Sequence, residues 1–144
     1  MVSFKTAVKN GFRNAFYFSG RATRAEYWWF QLFMLLSTWG LMGLLMVICI
    51  IFRIHNEESI ILWGAMIYWM IMIMPNLSLQ IRRLHDTDHS GWNLLWCLVP
   101  LINYIAPFYI LYLMCKKGSQ EDNLYGPSPY ETDKDRMNEN SEDM

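Results

Sequence analysis

The chain has 144 residues, of which 53% are hydrophobic and 16% aromatic, a composition rich in apolar residues for a soluble domain of this length. The net charge of −1 conceals an asymmetry, because residues 1–118 carry ten Lys or Arg against five Asp or Glu, whereas residues 119–144 carry two against eight. Cys49, Cys97 and Cys115 form no Cys-x-x-Cys pair, which excludes a zinc ribbon and a disulfide framework, and we expect them to be buried and reduced.

Residues 3–18 are predicted to form an amphipathic helix. Aromatic and small residues recur on one face at three- and four-residue spacing, and Lys5, Lys9 and Arg13 form a cationic stripe beside them. A helix of this kind lies flat among lipid headgroups. We therefore expect an interfacial helix and a turn over residues 1–22, with an ordinary surface helix as the alternative.

A membrane span is predicted to begin directly after this turn. Thr23 and Glu26 have the spacing of a capping box, in which each side chain accepts the other residue's backbone amide. Trp28 and Trp29 follow, and such aromatic side chains prefer the membrane interface. Residues 27–52 contain no charge, and about 20 apolar residues are enough to cross a bilayer as a helix.

A second span is predicted over residues 60–80, after a short loop at 53–59. Pro75 lies inside it and should kink it, since proline lacks the amide that a helical hydrogen bond needs. Asn76, Gln80 and Arg83 share one helical face, which should point towards other helices or a watery cleft, because polar groups facing lipid are costly. Hydrogen bonding between helices is the plainer explanation of this face.

The uncharged run 91–115 has two interpretations, because it contains Pro100, Asn103 and Pro107. As one kinked helix over residues 92–115 it would cross the bilayer. Divided at Pro100, it leaves a first piece of about 8 residues, or roughly 12 Å, which cannot cross alone. We expect three spans within residues 23–118, the third broken by proline, with a re-entrant segment as the competing arrangement.

Residues 119–144 form a polar, acidic tail that we expect to be largely disordered, above all past Tyr130. The orientation follows from the excess of Lys and Arg on the cytoplasmic side. Five of them precede the first span, Arg53 alone lies in the first loop, and Arg82 and Arg83 begin the second. The N-terminus and the 82–90 loop are therefore predicted to be cytoplasmic.

Three stretches resemble the domain-of-unknown-function 805 family of small bacterial inner-membrane proteins. They are GRATRAEYWWF at residues 20–30, RRLHDT at 82–87 followed by Gly91 and Trp92, and DNLYGPSP at 122–129. The resemblance covers about residues 4–130 and implies a multi-pass protein of the bacterial plasma membrane with no established activity. The chain departs from the family at His89, where the family usually has Lys or Arg, which speaks against a family-wide metal site there.

The charged residues at the predicted cytoplasmic face form the candidate binding site. If the first two spans are neighbours, the arginines of both motifs lie together, and they outnumber the nearby carboxylates. We expect this cluster to bind anionic lipid headgroups or another phosphate-bearing ligand, unless it forms a self-contained lattice of ion pairs. Its members are Arg21, Arg24, Arg82, Arg83, His85 and Asp86. The residues expected to have structural roles are Thr23, Glu26, Trp28, Trp29, Pro75, Asn76, Gln80, Gly91 and Trp92.

No catalytic constellation is present in the sequence, so we expect a non-enzymatic membrane interaction or assembly module. His85, Asp86, Asp88 and His89 could ligate a divalent ion, but ligands in so short a loop seldom converge, and no metal or cofactor is expected. The lipid bilayer is the expected partner, a homo-oligomer is possible, and no nucleic acid is expected. The alternative function is a small transporter or a subunit of one, because proline-interrupted helices line transporter sites.

Overall fold

The computed structural model describes residues 2–130, apart from the side chain of Glu57, and within this range it is helical and has no strand. The α-helices are α1 (Phe4–Arg13), α2 (Arg24–Phe52), α3 (Glu57–Asp86) and α4 (Ala106–Cys115). Two 3-10 helices, Gly91–Leu98 and Ile102–Tyr104, lie between α3 and α4. The predicted all-α class is confirmed.

Helices α2 and α3 are long enough and apolar enough to cross a membrane. With 29 and 30 residues, each measures roughly 45 Å at 1.5 Å per residue. In the most apolar stretch of each helix, only 6% of the residues of α2 and 11% of those of α3 are buried. A core helix of a soluble protein would bury these side chains, so the outer faces of both helices suit hydrocarbon as their solvent.

Polar contacts join α2 and α3 side by side. Gln31 Nε2 donates to Asn76 Oδ1 at 2.9 Å, and the hydroxyls of Ser37 and Tyr68 lie 2.5 Å apart. The paired residues advance along α2 as they retreat along α3, so the two helices are antiparallel. Asn76 thus makes the interhelical hydrogen bond that was the plainer explanation of its position.

Helix α3 continues six residues beyond the predicted end of the second span. The prediction of a loop from Arg82 to Ser90 is therefore wrong for its first half, because Arg82, Arg83 and Asp86 lie in the last turns of the helix. Pro75 is inside α3, and the helix continues on both sides of it. The two arginines are consequently held by a regular backbone, which fixes the directions of their side chains.

Helix α1 is shorter than predicted, since it ends at Arg13 instead of extending to residue 18. The carbonyl oxygens of Asn14 and Tyr17 accept hydrogen bonds from Ser78 Oγ of α3, at 2.6 and 2.7 Å. The chain turns here, with the Tyr17 amide donating to Asn14 O at 3.0 Å, and the contact with Ser78 holds this turn against α3. Ala7 and Gly11 form the buried face of α1.

The aromatic contacts of α1 fall within about one turn of α2. Phe4 packs edge-on against Trp29, and Phe12 packs against Phe30 and Phe33, with ring centroids 5.7–5.8 Å apart. A helix that ran along α2 would contact several successive turns of it. Helix α1 therefore crosses α2 near its start, an arrangement compatible with the predicted interfacial position.

The segment 92–115, predicted as a third span, is not one continuous helix. It is interrupted between the two 3-10 helices at Val99–Leu101, where Leu101 has a φ of 72°. Helix α4 has ten residues, or roughly 15 Å, about half of the hydrocarbon thickness. The break expected at Pro100 is present, and it divides the segment instead of merely kinking it.

Both ends of this segment lie at the same end of the α2–α3 pair. Gly91 packs closely against Ile81 of α3, and the Lys116 carbonyl accepts from the guanidinium of Arg83. The Ser119 amide donates to the Asp86 carbonyl at 2.9 Å. A straight helix of this length would carry residues 91 and 116 to opposite ends of the pair, so in this structure the segment returns to the end from which it started.

Two further expectations concern the cysteines and the tail. Cys49 is buried, whereas Cys97 is partly exposed and Cys115 exposed, so uniform burial of the cysteines is wrong. Residues 119–130 pack against the end of α3. The disorder expected past Tyr130 concerns residues 131–144, which lie outside the described part of the chain.

Candidate functional site

Asp86 is the centre of the polar end of the molecule. It is the last residue of α3 and is completely buried. The guanidinium of Arg21, from the turn before α2, binds Asp86 Oδ1 through Nε at 3.1 Å and Nη2 at 2.9 Å. Arg83, three residues earlier on α3, binds Oδ2 through Nη1. One carboxylate therefore holds two arginines from different parts of the chain.

Backbone carbonyls accept further hydrogen bonds from both guanidiniums. Arg21 donates to Glu121 O at 2.8 Å and to Ser119 O. Arg83 donates to Met114 O, at 3.3 and 3.2 Å, and to Lys116 O. Burial lowers the pKa of Arg83, and the Asp86 carboxylate opposes this shift. These carbonyls belong to one stretch of chain, so the arginines bind the segment after α4 to the helix pair.

Residues 116–130, which we call the C-terminal strap, cover Asp86. The Tyr130 hydroxyl donates to Asp86 Oδ2 at 2.8 Å. Gly118 lies so close that an added Cβ would be 1.9 Å from Asp86 Oδ2. Only a residue without a side chain fits there. Arg21, Arg83, Asp86 and Tyr130 together form what we call the Asp86 centre, in which both carboxylate oxygens are occupied.

Tyr130 remains a hydrogen-bond donor throughout the physiological range. Burial and the hydrogen bond to the Asp86 carboxylate raise the pKa of its phenol to about 12. Because the raised pKa disfavours deprotonation in the folded state, the hydrogen bond from Tyr130 stabilises the fold fully below pH about 10. This stabilisation is lost as the pH rises towards 12. The neutral phenol adds a donor to Asp86 without a further charge.

His85 belongs to the contact between α3 and the strap. Its ring stacks on Tyr125, with centroids 3.9 Å apart and planes at 5°, and Nδ1 lies 3.2 Å from the carbonyl oxygen of Gly20. Asn123 Nδ2 donates to the His85 carbonyl at 2.8 Å. Burial lowers the pKa of His85, so the ring is neutral at pH 7 and donates to Gly20 as the Nδ1–H tautomer.

Arg82 points away from Asp86 and is buried between the start of α2 and the turn after α1. It is 4% exposed, and within residues 2–130 its Nε and Nη2 have no hydrogen-bond partner. Burial lowers the pKa of Arg82, and the carboxylate of Glu26 opposes this shift. The Thr23 hydroxyl accepts the Glu26 amide at 3.2 Å, whereas the reciprocal half of the predicted capping box is not among the described hydrogen bonds.

The predicted cluster is therefore divided among different surroundings. Arg21 and Arg83 meet at Asp86, Arg82 is enclosed beside Glu26, and Arg24 is exposed, with Nη1 3.3 Å from the Cys115 carbonyl. The self-contained lattice that was the alternative to ligand binding accounts for Arg21 and Arg83.

The other predicted residues have local roles. Trp28 and Trp29 are exposed, as is Trp92, which follows the close contact between Gly91 and Ile81. Gln80 faces a small cleft beside Tyr27. Within the described part of the chain, no group of three or more His, Cys, Asp or Glu side chains could hold a metal ion.

Sequence reasoning did not assign the strap to this site. The stretch at residues 122–129, which the sequence analysis used only for the family resemblance, forms a turn: the Asn123 side chain accepts the Tyr125 amide at 3.0 Å, the Asp122 side chain accepts the Ser128 amide at 2.9 Å, and Gly126 has a φ of 137°. These bonds are local, so they predict the turn but not the surface on which it packs.

Comparisons with known proteins agree with the helical membrane architecture. A family model described as a protein of unknown function (DUF805) matches residues 15–127. The inner membrane protein YhaH of Escherichia coli (strain K12) is 38% identical over 112 residues, which make up 78% of this chain and 86% of YhaH. The inner membrane protein YhaI of the same strain is 35% identical over 117 residues, covering 78% of this chain and 85% of YhaI. No solved structure matches.

These matches confirm the resemblance drawn from the three sequence stretches. The family match spans most of the chain, both relatives are inner membrane proteins, and the two long helices expose apolar side chains. The chain is therefore a helical membrane protein and belongs to the DUF805 family.

Proposed function

We propose that the protein is a non-enzymatic inner-membrane module that contacts anionic lipid headgroups at its cytoplasmic face, where the Asp86 centre serves as the structural clamp. The observation that carries this proposal is the complete burial of Asp86 with both oxygens engaged. A catalytic or ligand-binding carboxylate needs an open side for its substrate, whereas Asp86 joins three parts of the chain. The clamp holds the N-terminal turn, the end of α3 and the strap at one face.

Exposed cations surround the clamp and are suited to lipid contact. On this face the exposed cations of the described chain are Lys5, Lys9, Arg13, Arg24, Lys116 and Lys117, and the exposed acids are Asp88, Glu121 and Asp122. A cation near an anionic leaflet contributes about 1 kcal/mol. The excess of cations also favours a cytoplasmic position for the N-terminus and for the strap. The headgroup contact is thus assigned to exposed cations and not to the buried arginines.

The lipid contact is tested by counting the lipids that remain bound after purification. The triple variant Lys5→Gln, Lys9→Gln and Arg13→Gln should retain less phosphatidylglycerol in native mass spectrometry than the parent protein, because it lacks the cationic stripe. Arg53→Gln is the matched control, since Arg53 is exposed at the opposite end of α2. The proposal would be contradicted if the triple variant and Arg53→Gln lost the same amount of bound lipid, or if the triple variant lost none.

The topology is tested by labelling single cysteines in spheroplasts. With the three native cysteines replaced by serine, Cys introduced at Ser3, Asp88 and Gln120 should be protected together from a membrane-impermeant maleimide and become labelled together after lysis. Labelling of Gln120→Cys alone in intact spheroplasts would support three crossings and exclude the re-entrant path.

A small transporter remains the second candidate but has less support. Of the polar positions that suggested a transport path, Asn76 is bound by Gln31 across the helix interface. The contacts of Gly91 and Lys116 with the end of α3 support a third segment that begins and ends at the same face. One chain therefore offers two long helices and no described polar channel between them. Substrate-dependent flux in proteoliposomes would make the transporter the better supported of the two functions.

A further inference from the structure

A cleft at the start of α2 has the chemistry of a lipid-phosphate site. Its volume is about 670 Å³, and one wall is the exposed aromatic pair Trp28 and Trp29. The remaining lining residues are Val2, Thr23, Arg24, Ala25, Cys115 and Tyr130. The cleft thus lies between the first turn of α2, the end of α4 and the end of the strap, beside the Asp86 centre, with which it shares Tyr130.

Arg24 supplies the positive charge of this cleft. Its side chain is exposed, and the bond of Nη1 to the Cys115 carbonyl tethers the guanidinium between α2 and α4. A planar guanidinium matches the oxygens of a phosphate with two parallel donors. The cleft itself contains no Asp or Glu side chain among its described lining residues, so its charge is complementary to an anion.

The tryptophans supply an apolar wall, and tryptophan side chains prefer the membrane interface, where a lipid changes from headgroup to acyl chain. Trp28 is 44% exposed and Trp29 39% exposed. Edge-on packing fixes both rings: Trp28 against Tyr27 at 5.4 Å and Trp29 against Phe4 at 5.8 Å between centroids. The apolar outer face of α2 continues directly from this wall. A ligand with a phosphate and an attached acyl chain would therefore contact Arg24 with its phosphate, and the tryptophans and then the outer face of α2 with its chain.

We propose that this cleft binds one anionic phospholipid, with the phosphate at Arg24 and the start of an acyl chain along Trp28 and Trp29. The inference rests on the proposed function, because it requires the start of α2 to lie at headgroup depth. It goes further in assigning a single, saturable site to one arginine and two tryptophans. The attraction of anionic headgroups to the cationic stripe on α1 is separate from binding in this cleft.

The test is a titration of the full-length chain in uncharged detergent, followed by native mass spectrometry. The parent protein should take up one phosphatidylglycerol saturably in preference to phosphatidylcholine. Arg24→Gln should weaken this uptake about fivefold, the factor expected for one cation at an anionic lipid. Arg53→Gln removes an exposed cation at the opposite end of α2, away from the cleft, and should leave the saturable uptake unchanged.

Ala25→Glu separates loss of binding from loss of folding. An acidic residue in the first turn of a helix is favourable to the helix, so the thermal unfolding temperature should not fall. The new carboxylate nevertheless faces the cleft and should repel the lipid phosphate. Unchanged phosphatidylglycerol affinity in both Ala25→Glu and Arg24→Gln would overturn the site.

Further arms identify the source of the phosphate. Soluble dihexanoyl-phosphatidylglycerol should bind more weakly than the long-chain lipid, and inorganic phosphate more weakly still; equal affinity for all three would overturn the assignment to a lipid. If saturable uptake appears only after truncation behind Tyr130, the acidic residues 131–144 are the occupant and the proposal fails. If the triple variant of α1 loses lipid while Arg24→Gln does not, the proposed function stands and the cleft is excluded.

Discussion

Replacement of Asp86 by Asn removes the charge of the Asp86 centre while keeping its shape. The two guanidiniums that it binds are 1% and 0% exposed in their side chains, so neither gains water when the carboxylate is neutralised. Breaking a buried ion pair by removing one partner costs about 3–5 kcal/mol. Because both arginines keep backbone carbonyls as acceptors, we expect the lower end of this range, about 3 kcal/mol.

The expected loss is large enough to measure by thermal unfolding in detergent, followed by tryptophan fluorescence. At roughly 4 °C per kcal/mol, the Tm of Asp86→Asn should fall by about 12 °C. Asp88→Asn is the matched control, since Asp88 is exposed two residues later, where its φ of 62° also suits Asn. The control should change stability by less than about 0.5 kcal/mol.

Non-additivity distinguishes an electrostatic clamp from general damage to the fold. The double variant Arg21→Gln and Asp86→Asn lacks both the carboxylate and one of the charges that it neutralised. Its loss of stability should therefore be smaller than the sum of the two single losses. Strict additivity, or a Tm for Asp86→Asn equal to that of Asp88→Asn, would refute the reasoning.

Two further predictions concern α1 and the strap. Gly11→Ala should detach α1 and lower the Tm, because the added Cβ would lie 2.3 Å from a ring carbon of the buried Phe30, whereas Gly43→Ala, with nothing within 4 Å, should leave the Tm unchanged or raise it. The strap should loosen as the pH falls below about 6.5. Burial lowers the pKa of His85 while the strap is packed on it, so protonation of the imidazole favours the state in which the strap has detached. Hydrogen exchange of residues 116–130, corrected for intrinsic rates, should therefore quicken on acidification, and His85→Gln should remove this pH dependence. Equal Tm changes in Gly11→Ala and Gly43→Ala would contradict the prediction for α1. Hydrogen exchange that does not depend on pH in the parent protein would contradict the prediction for the strap.

Much of the α2–α3 pair was predictable because its signals are local. The uncharged run after Tyr27 and the cap at Thr23 predict α2, and the apolar run from residue 60 predicts α3. Boundaries were less predictable where tertiary contacts compete with helix formation. Just beyond the end of α1, the carbonyl oxygens of Asn14 and Tyr17 accept from the hydroxyl of Ser78. No local sequence pattern predicts a contact with a residue 61 positions away.

In the candidate site, too, some features were predictable from the sequence and others depended on tertiary contacts. Arg21, Arg83 and Asp86 were predictable as members of one charged cluster, because two adjacent antiparallel helices bring their motifs to the same end. The choice of partners was not predictable: Asp86 takes Arg21 and Arg83, while Arg82, the neighbour of Arg83 in the chain, turns towards Glu26. Successive helical residues point about 100° apart, so the rotation of α3 against its neighbours determines which arginine reaches Asp86.

The sequence alone determined the all-helical class, the two long apolar helices and the family, since runs of apolar residues and short motifs are properties of the chain itself. Only the tertiary structure decided that residues 91–115 return to the face from which they started and that Tyr130 covers Asp86. The physical reason is that a buried charge requires partners, and those partners are carbonyl oxygens and a phenol more than 25 residues away along the chain. Carbonyl oxygens are common to every residue, so no sequence pattern marks the ones that a buried arginine will bind.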